Sequence, residues 1–172
     1  MLKYAMMLGV VIGLGACNSG PEEKTGTPEA MVEANKALWA KQAGKSYSIT
    51  FREWDIDGTT TFACEADKGV IGTCTKTYKC CGEDPEVSTV DSYKTPGELL
   101  NDLEKDLARI KYDSSRVDDT SFFVQRSWVY EGDTLSEGLS ASFEPVYGYP
   151  RQIVYLGTVL PYAQSITQFQ LK

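Results

Sequence analysis

The chain has 172 residues, a formal net charge of −7 and no histidine. This size suits one compact domain with a tether, and the usual histidine-based hydrolytic triads are unavailable to it. An acidic balance without a basic cluster excludes nucleic acid as the main partner.

The first element is an export signal. Lys3 precedes an apolar run of 13 residues, 4–16, which ends in Leu14-Gly15-Ala16-Cys17. A positive start, a short hydrophobic core and small residues before a cut predict a secretory signal peptide. A bilayer-spanning helix needs about 20 apolar residues, and this run falls short. The step into Cys17 resembles the lipobox of bacterial lipoproteins. In that family the cysteine receives a diacylglyceryl group, the signal is cut before it, and the new amino terminus is acylated. The resemblance implies that residues 1–16 are removed and that acylated Cys17 makes the lipid bilayer a partner, with several acyl chains holding where one does not. Asn18 stands where an aspartate retains many enterobacterial lipoproteins in the inner membrane. In a Gram-negative host the outer membrane is therefore favoured, with the domain facing the periplasm or the exterior. Lys3 is the one charge within residues 1–16, so the remainder carries −8. The lipid, rather than a basic patch, is expected to make the membrane contact.

Residues 17–26 are polar and Gly-, Ser- and Pro-containing, and read as a lipidated flexible tether. A single domain is expected over 27–172. Thr27 caps a helix with Pro28 at its first position, and Gly44 ends it. Met31, Ala34 and Leu38 share one face at helical spacing, with Trp39 beside them, and this face is expected in the core. Residues 46–54 alternate, with Tyr47, Ile49 and Phe51 on one side, as a half-buried strand does. A hairpin turning at Asp57-Gly58 leads into a second strand, 59–64. Asp55-x-Asp57-Gly58 lacks the downstream oxygen ligands of a calcium loop and reads as this turn. A third strand is expected over 70–78, and 81–93 reads as irregular.

Four cysteines follow the lipobox: Cys64, Cys74, Cys80 and Cys81. An even number in an exported chain predicts disulfides. The pairing that contains Cys80–Cys81 requires a strained bond between neighbours. Cys64 and Cys74 are therefore each expected to bond to one member of the adjacent pair. The spacing lacks the two close C-x2-C pairs of a zinc ribbon, so no metal site is assigned.

Thr95-Pro96-Gly97-Glu98 is a capping box opening a second helix, whose stripe is Leu99, Leu103, Leu107 and Ile110, widened by Leu100. Strands are expected over 121–130, 139–143, 151–156 and 165–171, with a loop over 131–138. The order α-β-β-β-α-β-β-β-β predicts an α+β fold, an antiparallel sheet of about six to seven strands with two helices packed on one face. Glu131, Asp133, Glu137 and Glu144 are the carboxylates grouped closely enough in the chain to suggest glycoside hydrolysis. No cofactor motif is present.

Tyr147-Gly148-Tyr149-Pro150 is the most distinctive local motif. Gly148 permits a turn and Pro150 sets the entry into the next strand. Tyr147 and Tyr149, with Trp128, are the candidate binding surface. Together with Leu38-Trp39, the strand 47–51, the cysteine-bearing hairpin and the Thr-capped helix, the Gly-Tyr-Pro-Arg-Gln-Ile segment resembles a family of exported bacterial proteins carrying G-Y-P-x-x-I. The resemblance extends over residues 35–171, supports the fold and the export, and implies no activity. The functional expectation is a membrane-anchored envelope lipoprotein, a non-catalytic binding or assembly module for an envelope protein or ligand. The alternative is an envelope hydrolase acting on glycan or peptide, or an inhibitor of one that inserts a loop such as 131–140.

Overall fold

The computed structural model describes residues 26–80, 82–157 and 161–172. Helix α1 (Pro28–Ala40) starts as expected, with the Thr27 hydroxyl accepting the Ala30 N–H and Pro28 in the first turn. Strands β1 (Tyr47–Trp54), β2 (Thr59–Asp67), β3 (Val70–Lys79) and β4 (Glu86–Val90) follow as a meander. Helix α2 (Pro96–Ile110) comes next, then β5 (Ser114–Val117), β6 (Ser121–Tyr130), β7 (Asp133–Phe143), β8 (Pro150–Leu156) and β9 (Tyr162–Leu171). All nine strands form one antiparallel sheet in the order β4-β3-β2-β1-β9-β8-β7-β6-β5. The two meanders join where β1 pairs with β9. Helix α2 connects β4 to β5, the two edges of the sheet, and so crosses the sheet's face.

The α+β class and the two helices on one face agree with the sequence reading. The number of strands does not: β4 and β5 were not anticipated. Both are edge strands with almost every residue exposed, so neither carries the alternation that marks a half-buried strand. Most of the expected loop 131–138 is also strand, from Asp133 onward. Glu131 and Gly132 both have positive φ, 51° and 94°, the backbone of a two-residue hairpin turn whose twist matches its strands. Strand β7 begins directly after it, so 131–140 is not an insertion loop. Because β8 pairs with β7 only from Gly138 onward, the ends of β6 and β7 extend past it as a two-stranded arm.

The capping box of α2 forms in both directions: Glu98 N–H donates to the Thr95 hydroxyl, and the Glu98 carboxylate accepts the Thr95 N–H at 2.7 Å. Its stripe Leu99, Leu100, Leu103, Leu107 and Ile110 is buried to the last residue. These side chains join Tyr47, Ile49, Phe51, Phe62, Val124, Leu139, Phe143 and Ile153 in one core. Helix α1 departs from expectation. Its buried positions are Pro28, Val32, Asn35 and Trp39, whereas Met31 and Leu38 are half-buried and Ala34 is exposed. The helix has two apolar stripes, and the sheet took the one not chosen from sequence.

The disulfide pairing is likewise corrected. Cys64 and Cys74 bond to each other, with their Cα atoms 4.3 Å apart. They are direct cross-strand partners on β2 and β3: the two-residue turn Lys68-Gly69, again with positive φ at both positions, starts the pairing, and a register shift between Cys64 and Ala66 brings the two cysteines opposite each other. Cys80 is a free thiol, and Cys81 lies outside the described residues. Residues 1–25, with Cys17, also lie outside them. Among the described residues no helix is long and apolar enough to cross a membrane.

Candidate binding sites: an apolar groove on α1 and a tyrosine-lined cleft under α2

The displaced stripe of α1 lines a groove. Ala30, Met31, Ala34 and Leu38 form one wall, and Val117, Phe143 and Pro145 form the other, enclosing about 420 Å³. Asp118, Asp119 and Thr120, in the turn between β5 and β6, make its rim, and Gly26 and Thr27 stand at one end. The walls are apolar and the rim is acidic. Asp118 is 3.4 Å from the Arg116 guanidinium.

A second cavity, of about 360 Å³, opens between α2 and strands β8 and β9. Tyr155 and Tyr162 are cross-strand partners there, with ring centroids 5.8 Å apart and planes tilted by 36°. The Tyr155 hydroxyl donates to Asp106 at 2.8 Å, tying β8 to α2. Deeper in, Tyr93 and the Gln164 amide both donate to Glu53, the latter at 2.9 Å. On the helix side, Asp102 accepts from Lys94 at 2.7 Å and Lys105 at 3.4 Å. Burial raises the phenols of Tyr93, Tyr155 and Tyr162 well above their ordinary value. A neighbouring carboxylate adds to each shift: Glu53 for Tyr93 and Tyr162, Asp106 for Tyr155. The bond to Lys94 holds the Asp102 carboxyl below the usual carboxylate range. The cleft therefore presents protonated phenols and hydrogen-bonded carboxylates.

Among the described residues no helix covers the opposite face of the sheet. An open trough of about 880 Å³ runs over β3, β2, β1 and β9, and hydroxyl and amide groups such as Ser48, Thr50, Thr75 and Gln168 line it.

The candidate residues of the sequence reading are not brought together. Tyr147 and Tyr149 stack on each other, with centroids 6.5 Å apart and planes 11° apart, and both pack against Phe169. They are half-buried turn residues that extend the core toward Trp39 and Tyr47. Trp128 lies on the β6–β7 arm opposite Leu135, with the Arg126 guanidinium 5.8 Å from its ring centroid. Leu135 precedes Phe143 by eight residues on β7, which puts Trp128 about 27 Å from the tyrosine turn at ~3.4 Å per residue. The candidate carboxylates are dispersed as well. Glu131 sits in the arm's turn and Asp133 opposes Tyr130. Glu137 lies 3.9 Å from both Arg109 and Arg126. Glu144 accepts the N–H groups of Val146 and Tyr147, at 2.9 and 2.6 Å, and so closes its own turn. Asp55 does the same for Asp57 and Gly58.

Sequence reasoning missed Glu53, Tyr93, Asp106, Tyr155, Tyr162 and Gln164. A signal existed for part of the set. Tyr155 follows Ile153 by two residues on one strand, and Tyr162 and Gln164 precede Ile166 on another, the inward period of a half-buried sheet. Asp102 and Asp106 are one helical turn apart, beside the leucine stripe. Nothing local indicated that these elements face one another.

The chain matches no protein-family model and no curated protein sequence. Solved structures to which it is similar include these three. One is MucB in complex with MucA(peri), at 14% identity over 82% of this chain and a TM-score of 0.40. The others are LprF from Mycobacterium bovis, at 10% identity and a TM-score of 0.33, and the lipoprotein LppX of Mycobacterium tuberculosis, at 8% and 0.31. The matches cover 84% of this chain in both mycobacterial cases, and 95% and 97% of those chains. The match to MucB spans 56% of the MucB chain.

Proposed function

We propose that this chain is a lipid-anchored, non-catalytic binding module of the bacterial cell envelope. Acylated Cys17 holds it to the membrane, and the α1 groove receives an apolar, positively charged segment of a partner protein. The observation that carries this reading is the second apolar stripe of α1, Met31, Ala34 and Leu38, which lines an open groove while Met31 also touches the edge of the core. A helix that leaves one apolar face to a groove of this kind offers the same surface chemistry as groove-type peptide receptors. The charge supports the choice of occupant. The rim carries Asp118 and Asp119, and the chain beyond residue 16 carries −8, so a basic segment is steered in and an acidic one repelled.

The test is titration with a fluorescent Leu/Lys amphipathic peptide. Saturable, salt-sensitive binding is expected. Ala34→Lys, which puts a repelling charge at an exposed position of the groove wall, is expected to weaken it at least about tenfold, or ~1.4 kcal/mol, without a change in melting temperature. Equal affinity of this variant, or equal binding of a Leu/Glu peptide, would overturn the reading. A photo-crosslinker at position 34 in intact envelopes then identifies the partner.

A further inference from the structure

The cleft under α2 plays no part in the groove's function. We propose that it is a second binding site, for a neutral sugar that stacks on Tyr155 and Tyr162 and is held by hydroxyl contacts to Asp102, Asp106 and Gln164.

The inference rests on what the cleft offers after its internal bonds are counted. The two tyrosine rings supply a tilted aromatic floor, and Leu99 adds an apolar edge. Such faces suit the C–H side of a pyranose ring rather than a flat polar group. Around this floor the polar atoms are partnered but not exhausted. An ionised carboxylate has about four acceptor positions. Asp106 uses one for Tyr155 and approaches Arg109 at 3.4 Å, and Asp102 is met by Lys94 and Lys105. The unused positions accept hydroxyl protons, and the lysines and the Gln164 amide give protons to hydroxyl oxygens. Groups that both donate and accept at several points around an apolar ring are the property of a sugar.

Charge narrows the class further. The two aspartates of the cleft are balanced by its two lysines, Lys94 and Lys105. The phenols stay protonated, since burial opposes their ionisation. The site therefore has no uncompensated field to select an ion, which favours an uncharged ligand. Its volume, about 360 Å³, is at the small end of the ~300–1,000 Å³ range of ligand pockets, enough for a short saccharide.

The experiment is a titration of the isotopically labelled domain with chitotriose, maltotriose and cellotriose, followed by amide and tyrosine-ring resonances. At least one trisaccharide is expected to give saturable shifts centred on Tyr155, Tyr162 and the first turns of α2, with an affinity that salt does not change. Tyr162→Ala is expected to lose at least about tenfold in affinity. Gln164→Ala, a smaller change at a half-exposed position, provides the same readout if Tyr162→Ala fails to fold. Ala34→Lys in the α1 groove is expected to leave sugar binding intact. No saturable shift from any of the three at ~10 mM, tenfold above a weak ~1 mM site, overturns the proposal. So do shifts centred elsewhere, or binding that falls steeply with salt.

Discussion

Gly148 lies directly against the carbonyl of Asn35. A Cβ added at position 148 would stand 2.4 Å from that oxygen and 2.7 Å from the Leu38 Cβ, and φ there is +77°. The Tyr-Gly-Tyr-Pro turn is thereby seated on α1, in contact with Asn35 of its buried stripe and Leu38 of its groove stripe. Gly148→Ala combines a left-handed backbone with a clash against main chain that cannot move aside. It is expected to destabilise the fold by about 2–4 kcal/mol. Gly132→Ala is the matched control, because its φ is +94° with nothing within 4 Å. It is expected to cost only ~1 kcal/mol of conformational strain. Urea unfolding of the two variants measures the difference, and equal losses would remove the packing role assigned to this turn.

The Cys64–Cys74 bond closes a segment with a sequence separation of 10. Loop-closure entropy at that length corresponds to about 2–3 kcal/mol. The double variant Cys64→Ala, Cys74→Ala is expected to unfold at a correspondingly lower urea concentration, with the same slope. Peptide mapping without reductant is expected to recover the 64–74 linkage. Recovery of Cys64 linked to Cys80 or Cys81 instead would contradict the β2–β3 register.

Alkaline pH tests the buried phenols. Tyr47 is pushed up to about 12 by burial, with Glu98 adding to the shift, and Tyr93, Tyr155 and Tyr162 are raised as well. Between the unfolded value near 10 and the folded value, the native state keeps a proton that the unfolded chain has released. Each such tyrosine contributes stability that is fully present below about pH 10 and falls by up to ~1.4 kcal/mol per pH unit above it. Tyr155→Phe is expected to lower stability at neutral pH by about 1.5–3 kcal/mol, through loss of its bond to the Asp106 carboxylate. It should also make the alkaline limb shallower. Urea midpoints from neutral pH to pH ~11.5 check this, and parallel limbs for variant and wild type would refute it.

Membrane attachment tests the anchor. Cys17→Ser is expected to move the protein from the membrane fraction to the soluble one. The melting temperature of the domain, exported behind another signal, should stay unchanged. Retention of the variant in the membrane fraction would exclude Cys17 as the anchor.

The elements legible in the sequence share one property: their determinants lie within a few residues of each other. The capping box Thr95–Glu98, the leucine stripe of α2 and the alternation of β1 all satisfy local rules, and the structure repeats them. The edge strands β4 and β5 escaped because a strand that pairs on one side and buries no face writes no periodicity. The candidate surface of Tyr147, Tyr149 and Trp128 is divided in the structure for the opposite reason. Its residues have the right chemistry, but strand register puts Trp128 on an arm and the two tyrosines on Phe169.

By itself the sequence determined the α+β class, both helices and their N-terminal caps, the hairpin chemistry of the first strands and the inward positions of most of them, whereas α1 ends at Ala40, ahead of the expected Gly44. Tertiary structure decided which stripe of α1 meets the core, which cysteines bond, and which tyrosines meet which carboxylates. The physical reason is separation along the chain. A cap or a stripe is stabilised by neighbours three or four residues away, whereas Gln164 reaches Glu53 across 111 residues and Tyr155 reaches Asp106 across 49. Such pairs exist only after the sheet has set its register and the helices have settled on it, and the two candidate sites are made from them.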